Sequence, residues 1–446
     1  MKLPDTCKLV LYLLTSNGHE AYVVGGCVRN HILGIPIHDY DICTSAPPEE
    51  VKKSLSMIHV VDTGLKHGTV TAIVGDDKYE VTTYRSDGEY TDYRHPDSIQ
   101  FETKLEKDLS RRDFTMNAIC YHPDRGFVDP LRGAKDIEHG KICCVGNPID
   151  RFKEDPLRIL RAVRFESQLA MSTDQSTYEA MFQLKNMLAL IPAERIQAEF
   201  VKILQGPFAM TALRKYRDII AVFIPEIVPM FECKQHNEYH KYDVWEHTLH
   251  VVQECMDSNS TLRLAAFFHD IAKPLCKSQD KYGCDHFYRH PEVGATITES
   301  ILRRLRFDNK TIHDVCALVK YHDSFPLYDS KRSIISYANK LGDELFESAY
   351  LLRLADITAQ KKDVVSRIKF SAFAFALYQI YKQESAAFKI KDLEINGNDI
   401  MNLGVPQGKQ VGEILNRLLD LVINDEVEND KDALTVAALE MIRNDS

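Results

Sequence analysis

The chain has 446 residues, 44% of them hydrophobic, and a formal net charge of −10 at neutral pH. That length supports three or four domains at roughly 100–200 residues each, and the acidic balance excludes a protein that coats nucleic acid indiscriminately, since such proteins are basic throughout. No run approaches the roughly 18–20 uninterrupted apolar residues of a membrane helix, and the N-terminus has too short an apolar core for a secretory signal, so the protein is expected in the cytoplasm, away from membranes.

The eleven cysteines are odd in number and contain no CxxC pair. Such usage suits a reducing compartment and reads as small buried apolar residues rather than a disulfide framework or a thiolate zinc site.

Residues 18–138 alternate β-rich runs ("AYVVGG", "GTVTAIV", "KYEVTTYR", "SIQF") with helical ones ("CVRNHILG", "PPEEVKKSL", "LSRRDFTMNAICY"), the pattern of one α/β domain. In "YVVGGCVRNHILG" a β-run ends in two glycines and passes into a helix, so the backbone there can approach a phosphate, with Arg29 one turn in. The motif is neither GxGxxG nor a P-loop, and a tight turn is the plainer reading. In "IHDYDICTSA" a strand projects Asp39 and Asp41 to one face. Carboxylates that close repel, and a divalent cation such as Mg²⁺ between them relieves the repulsion; the alternative is a solvated strand face. Glu80 opens "EVTTYR" and is a candidate third carboxylate. In "LSRRDFTMNAI", Arg111 and Arg112 start a helix offering Asp113 and Asn117 at i, i+4 spacing, or else simply a capped surface helix.

The helix "EDPLRILRAVRFES" is apolar almost all round yet carries Arg158, Arg161 and Arg164. At about 100° per residue the three fall within one sector that Leu157 and Phe165 also border, so they are not merely its wet side. Asp155 before Pro156 is placed to cap this helix. Five Lys/Arg against two carboxylates between Arg151 and Arg164 allow a local basic cleft in an acidic molecule. Beyond about residue 150 strand signals almost vanish, and "IPAERIQAEFVKIL", "TLRLAAFFHDIAK", "TESILRRLRF", "SAYLLRLADITAQ" and "VGEILNRLLDLVIND" all have helical spacing. Boundaries are expected near 230, after Pro225 and Pro229, and near 395 at "EINGND".

"VVGGCVRN", "HDYDICTSAPPEEV", "EVTTYR", "DLSRRDFTMNAI", "EDPLRILRAVRF" and "IPAERI" follow one another over about 170 residues. In that order they resemble the class II tRNA nucleotidyltransferase and poly(A) polymerase family. The resemblance implies a polymerase beta-type head in which Asp39 and Asp41 hold two Mg²⁺, with Glu80 as a helper. It also implies that Gly26, Arg29 and Arg112 handle the triphosphate and that Asp155, Arg158, Arg161 and Arg164 face the incoming nucleotide. In this family the Asp and the Arg three residues on read the base edge in place of a template. A carboxylate accepts from the exocyclic amine of C or A and a guanidinium donates to the adjacent ring acceptors, whereas G and U present the opposite pattern. Two residues depart from the family: Asn30 stands where Asp is usual, and His95 replaces an Arg in "YTDYRHPDSIQF".

His247, His269, Asp270, His290, His322 and Asp356, in "VWEHTLHVV", "RLAAFFHDIAK", "FYRHPEVGA", "KYHD" and "LRLADITAQ", resemble the ligand set of the HD superfamily of metal-dependent phosphohydrolases. The likeness implies that His247, His269, Asp270 and Asp356 clasp one ion, with His290 and His322 serving a second ion or the phosphate. Such ligands suit a transition metal such as Ni²⁺ or Mn²⁺ that activates water; the alternative is an inherited helical domain with vestigial ligands. The segment "INGNDIMNLGVPQGKQVGEILNRLLDLV" resembles the C-terminal part of HD-bearing members, its Gly/Pro loop either meeting RNA phosphates or plainly capping a helix.

The expectation is therefore an α/β polymerase beta-type nucleotidyltransferase head (1–140), a helical neck that binds RNA and nucleotide (141–230), an HD domain (231–360) and a C-terminal helical tail (361–446). The implied activity is addition of CCA to the tRNA 3′ end from CTP and ATP by two-metal nucleotidyl transfer. A-only addition, CC-only addition and poly(A) synthesis share these motifs, although the intact spacer "SDGEYTDYRHPDSIQF" resembles that of A-adding members. Two readings of other classes are an HD-type phosphohydrolase acting on RNA or nucleotides, and a non-catalytic RNA-binding protein; the complete Asp pair and arginine set argue against both.

Overall fold

Asp5–Ser16 (α1) leads into Ala21–Val24 (β1), buried at every position, which lies inside a mixed sheet. The structure is a computed structural model describing residues 1–88, 98–326, 331–383, 389–424 and 426–444; His95 and most of the spacer around it lie outside the described residues. The chain divides into two compact units, Met1–Pro225 and Glu226–Ser446.

In the first unit β1 is followed by Gly26–Leu33 (α2), Asp41–Thr44 (β2), Pro48–Ser54 (α3), His59–Gly64 (β3), Thr69–Val74 (β4) and Asp77–Thr83 (β5). Arg85–Asp87 (β6) and Ile99–Phe101 (β7) pair only with each other, so the "SIQF" strand stands outside the main sheet. Leu105–Ser110 (α4), Cys120–His122 (β8) and Gly126–Val128 (β9) complete a seven-stranded sheet of order β3-β4-β5-β2-β1-β8-β9. Within it β2 and β5 run parallel, in a register that sets Asp41 beside Glu80.

Two expectations are corrected here. The strand β2 begins at Asp41, so Asp39 belongs to the preceding loop and the two do not share a strand face. "RRDFTMNAICY" is not a helix: α4 stops at Ser110, a single 3₁₀ turn covers Thr115–Asn117, and β8 follows. Tertiary pairing overrides local propensity there, because Phe114 bridges to Cys144 and Cys120 pairs with Val24 and Val128.

After Gly133–Glu138 (α5) the unit is helical apart from a two-residue ladder between Lys141–Ile142 (β10) and Ser172–Thr173 (β11). The helices are Pro148–Glu154 (α6), Leu157–Leu169 (α7), Gln175–Leu184 (α8), Ala193–Leu204 (α9), Ala209–Lys215 (α10) and Arg217–Ile220 (α11); α6, α9 and α10 pack against α7, whose Arg158 and Arg164 are buried along with Leu157, Ile159, Leu160, Val163 and Phe165.

The second unit comprises Val244–Glu254 (α12), Ser260–Phe268 (α13), a small hairpin of Ser278–Gln279 (β12) and Asp285–His286 (β13), and His290–Arg304 (α14). Asn309–Tyr321 (α15), Lys331–Leu341 (α16), Asp343–Thr358 (α17) and Val364–Gln383 (α18) follow, then Gly397–Asn402 (α19), Lys409–Ile423 (α20) and Lys431–Asn444 (α21). Ile335 of α16 packs into the apolar cluster that α19, α20 and α21 build with Leu393 and Ile395. Asn396 caps α19, accepting from the N–H groups of Asn398 and Asp399 while Asp399 accepts from its own; the Gly/Pro loop that follows enters α20 at Gly408 without a side-chain cap. No described helix is long and apolar enough to cross a membrane. Cys143, Cys233, Cys276, Cys284 and Cys316 are only partly buried, against the expectation that the cysteines are core residues; four of the five stand in loops or turns, which run over the surface.

Candidate functional site

The first site is a cleft of about 250 Å³ lined by Asp41, Glu80, Thr69, Thr82, Arg85, Arg111 and Arg112. One wall is acidic. Although the Asp41 carboxylate faces solvent, partial desolvation and the Glu80 and Asp39 charges raise its pKa against the opposing pull of Arg112. A site that strains a carboxylate in this way, with hard oxygen donors only, suits a hard divalent cation such as Mg²⁺. The three carboxylates are not drawn into a closed ligand set: among the described residues, groups of ligand atoms within 4.8 Å of one another occur only between His247 and His322.

The other wall is basic and firmly held. Buried Asp108 accepts from Arg111 (2.7 and 3.0 Å) and from Arg112 (3.1 Å), fixing both guanidinia. The turn into α2 needs a left-handed residue at Gly25 (φ +80°), so the conformational requirement falls on Gly25 rather than on Gly26. A Cβ at Gly25 would stand 3.5 Å from Arg112 Nη1, and one at Gly26 3.7 Å from Arg29 Nη2, so the two-glycine turn runs between the two arginines.

Arg29, Arg161 and Arg164 surround the ring of Phe165 at 4.9, 5.6 and 4.5 Å. Arg161 is paired with Asp113 (2.6 Å) and Arg164 with Glu199 (3.0 Å). Arg29 instead donates to amide oxygens, to Asn117 at 2.7 Å and to Asn30 at 2.9 and 3.2 Å. Asn30 accepts the hydrogen bonds without cancelling the charge. Burial and the like charges of Arg164 and Arg161 push the Arg29 pKa down to about 10, the mark of a cation surplus with room for an anion.

Asp155 receives Arg195 through both nitrogens (2.7 and 3.2 Å) and caps α7, its Oδ1 accepting from Leu157 N–H at 3.1 Å. Arg158 donates to Glu154 (2.6 Å) and to the carbonyls of Arg151 (3.1 Å) and Arg111 (3.2 Å), tying α7 to the basic wall. Sequence reasoning passed over Asp108, Glu199 and Arg195. Asp108 stands three and four residues before its partners Arg111 and Arg112, inside the quoted "DLSRRDFTMNAI", so i, i+3 and i, i+4 spacing could have found it; Glu199 and Arg195 meet Arg164 and Asp155 only after folding.

The second site lies in the second unit and is assembled more tightly. His269, His290 and His322 each place Nδ1 against the carbonyl three residues earlier, Ala266, Phe287 and Val319, at 2.7–2.8 Å. A carbonyl only accepts, so each Nδ1 carries a proton and each Nε2 is the atom that ligates when the ring is neutral, although at His269 the Asp270 charge outweighs burial and raises the pKa. All three Nε2 atoms face Asp270, at 3.2, 3.4 and 3.7 Å. His247 Nε2 stands 3.1 Å from Asp356 and 3.6 Å from Asp270. Burial drives the His322 pKa down to about 4, keeping that ring neutral and able to ligate. Lys273 and Arg353 reach Asp270 (2.7 Å) and Asp356 (3.1 Å), neutralising part of the acidic charge. A cleft of about 450 Å³ opens onto Asp270, His290, His322 and Asp356. Donor type and tautomer fit a transition-metal centre.

Three family models match the chain: "Poly A polymerase head domain" over residues 21–143, "Probable RNA and SrmB- binding site of polymerase A" over 170–230, and tRNA nucleotidyltransferase domain 2 over 292–438. The chain is similar to a CCA-adding enzyme of Ligilactobacillus salivarius, 33% identical over 99% of this chain and 98% of that one. It is likewise similar to one of Oceanobacillus iheyensis, 33% identical over 95% and 94%. Among solved structures, the Bacillus stearothermophilus CCA-adding enzyme in complex with CTP superposes with a TM-score of 0.76 at 29% identity, covering 100% of this chain and 99% of that one.

Proposed function

The chain belongs to the CCA-adding enzyme family of tRNA nucleotidyltransferases, and from that premise we propose that it completes tRNA 3′ ends with CCA, using CTP and ATP and no nucleic-acid template. The observation that carries this reading is the pairing of an acidic wall, Asp41 and Glu80, with Arg112 and the under-neutralised Arg29 across the Gly25–Gly26 turn. In the reaction the tRNA 3′-hydroxyl attacks the α-phosphate, an O–P bond forms, and pyrophosphate leaves. Arg29 and Arg112 hold the triphosphate, with Arg161 and Arg164 extending the positive field. Asp155, steadied by Arg195, and Arg158 meet the base edge. Asp39 and Asp41, with Glu80 alongside, would hold Mg²⁺, which would supply charge stabilisation to the attacking and leaving oxygens.

The functional division is head 1–140, neck 141–230, HD domain 231–360 and tail 361–446, in the cytoplasm. A tRNA ending before CCA, incubated with each NTP separately and with CTP plus ATP, tests the reading. Addition of C, C and A in order supports it, whereas A alone or CC alone identifies a partial-specificity enzyme.

A second activity is favoured by the three histidines that aim Nε2 at Asp270. We assign His247, His269, Asp270 and Asp356, with His290 and His322, to a phosphohydrolase centre. A metal such as Ni²⁺ or Mn²⁺ would supply activated water there. Hydrolysis of 2′,3′-cyclic phosphate ends in the presence of either ion is the test.

A further inference from the structure

The hairpin β12–β13 supplies none of the residues assigned to either activity, yet with the turn between its strands it gathers three different metal-ligating side chains. Asp285 and His286 form β13, and Cys284 enters it from the turn; Asp285 is buried while Cys284 and His286 on either side of it are half-buried. Asp285 is buried and anchored, accepting from Lys277 (2.8 Å), from the His236 backbone N–H (2.8 Å) and from the His236 ring (2.9 Å). That anchor fixes the strand. Asp280 stands across the hairpin from Cys284, its N–H donating to the Cys284 carbonyl at 3.0 Å. Asp280 Oδ1 is occupied by the N–H groups of Tyr282 and Cys284, both at 2.9 Å, which leaves Oδ2 aimed at His286 Nε2, 3.2 Å away. The ligand atoms of Asp280, Cys284 and His286 all lie within 4.8 Å of one another.

We propose that Asp280, Cys284 and His286 form a binding site for one borderline-soft divalent ion of the Zn²⁺ class, separate from the HD centre. Zinc bonds of about 2.0–2.1 Å to N and O in a tetrahedron set N···O edges of about 3.3 Å, which the Asp280–His286 pair already meets. The Cys284 thiol lies within 4.8 Å of both ligand atoms. One thiolate, one imidazole and one carboxylate select Zn²⁺ over Mg²⁺ or Ca²⁺, which take oxygen donors, and three protein ligands leave a fourth position for water. Asp285 and His286 also line the 450 Å³ cleft over the HD residues, so an ion here would brace the hairpin at the mouth of that cleft.

The HD ligands include no cysteine, so a thiolate signature separates the two sites. The full chain, stripped of metal, is titrated with Co²⁺ while the near-ultraviolet thiolate-to-cobalt charge-transfer band is followed. The expected result is a band saturating at one ion per chain, absent in Cys284→Ser and unchanged in His269→Ala and in Cys276→Ser. Asp280→Asn keeps the turn acceptor but loses the ligand, and weakens binding at least about tenfold. Absence of the band in the wild type, or its persistence in Cys284→Ser, overturns the assignment.

Discussion

Arg195 grips Asp155 with both guanidinium nitrogens, at 2.7 and 3.2 Å, while the same carboxylate caps α7 through Leu157 N–H. The carboxylate proposed to accept from the amine of C or A is thus fixed from two sides. Arg195→Ala leaves only the cap bond, and the expected outcome is about a tenfold loss of selectivity for CTP over UTP with little change in triphosphate affinity, a change of about 1–2 kcal/mol in base-edge contact. Arg195→Lys, which cannot form the fork, falls between. kcat/KM for CTP, ATP and UTP on one tRNA acceptor decides; an unaltered C-to-U ratio in the alanine variant sinks the idea.

Asp39→Asn and Asp41→Asn should abolish transfer and leave tRNA binding nearly intact, because a metal ligand is lost while the basic wall remains. Asp41 adds a check of its own. Its pKa is raised by desolvation and then by the Glu80 and Asp39 charges, so the ionised form is strained at neutral pH. Asp41→Asn removes that strain, and thermal melts should show the inactive variant at least as stable as the wild type. Near wild-type transfer rates in both variants would dismiss the two-metal arrangement.

Buried Asp113 is the counter-ion of the arginine cluster. Burial alone would raise its pKa, but the Arg161 charge and the Asn117 hydrogen bond outweigh it and hold the carboxyl far below the usual range. A depressed carboxyl contributes stability that is complete above its unfolded pKa of about 3.9 and is lost as pH falls below that value. Asp113→Ala leaves Arg161 unpaired beside Arg29 and Arg164, at a cost of about 3–5 kcal/mol near neutral pH. Urea denaturation at pH 7 and at pH 3 should show the gap between variant and wild type narrowing in acid. A gap independent of pH would mean that the loss is packing rather than charge.

Much of this was legible in the sequence because it rested on short-range pattern. The two-glycine turn, the Asp41 strand, the cap at Asp155 and the buried arginine stripe of α7 all follow from spacing within a dozen residues. Where the reading failed, distant chain segments decided the local structure. "RRDFTMNAI" has helical composition, but Phe114 is claimed by Cys144 and Cys120 by its sheet neighbours, and only a 3₁₀ turn remains. Asn117 nevertheless meets Asp113 at 3.1 Å, so the i, i+4 pairing was right although the helix was not. Glu199 was invisible because an acid buried against an arginine 35 residues away looks, in sequence, like any surface acid, whereas Asp108 lies at i, i+3 and i, i+4 from Arg111 and Arg112 and its spacing was there to be read.

His269→Ala combined with Asp270→Ala should leave C and A addition largely unchanged while removing metal-dependent hydrolysis of 2′,3′-cyclic phosphate ends. The motifs quoted for the transferase reading all precede residue 200, and the residues proposed for the hydrolase centre begin at His247. Metal analysis of protein purified without chelator gives a second readout. Wild-type protein with neither bound transition metal nor hydrolysis would leave a vestigial domain, and loss of CCA addition in the double variant would contradict separate sites.

Arg158 must satisfy two demands, and they can be separated. Its guanidinium donates to Glu154 at 2.6 Å and to the Arg151 and Arg111 carbonyls, and it is only 9% exposed, so it splints α7 to the basic wall whatever else it does. If it also reads the base, Arg158→Ala should lower C-to-U selectivity roughly ten- to a hundredfold, the equivalent of about 1–3 kcal/mol. The triphosphate remains held by Arg29 and Arg112, so KM for the accepted nucleotides should rise less than the selectivity falls. Truncation also strips Glu154 of one of its two arginine partners, Arg151 remaining, and a lower melting temperature is expected on either account, so stability alone cannot decide. Arg158→Lys can. A lysine retains the charge opposite Glu154 and restores most of the melt, but it cannot present two parallel N–H groups to a base edge. A lysine variant with near wild-type melting and collapsed selectivity assigns Arg158 to base reading. Recovery of both together means that Arg158 is a splint, and that the discrimination resides in Asp155 and its clamp.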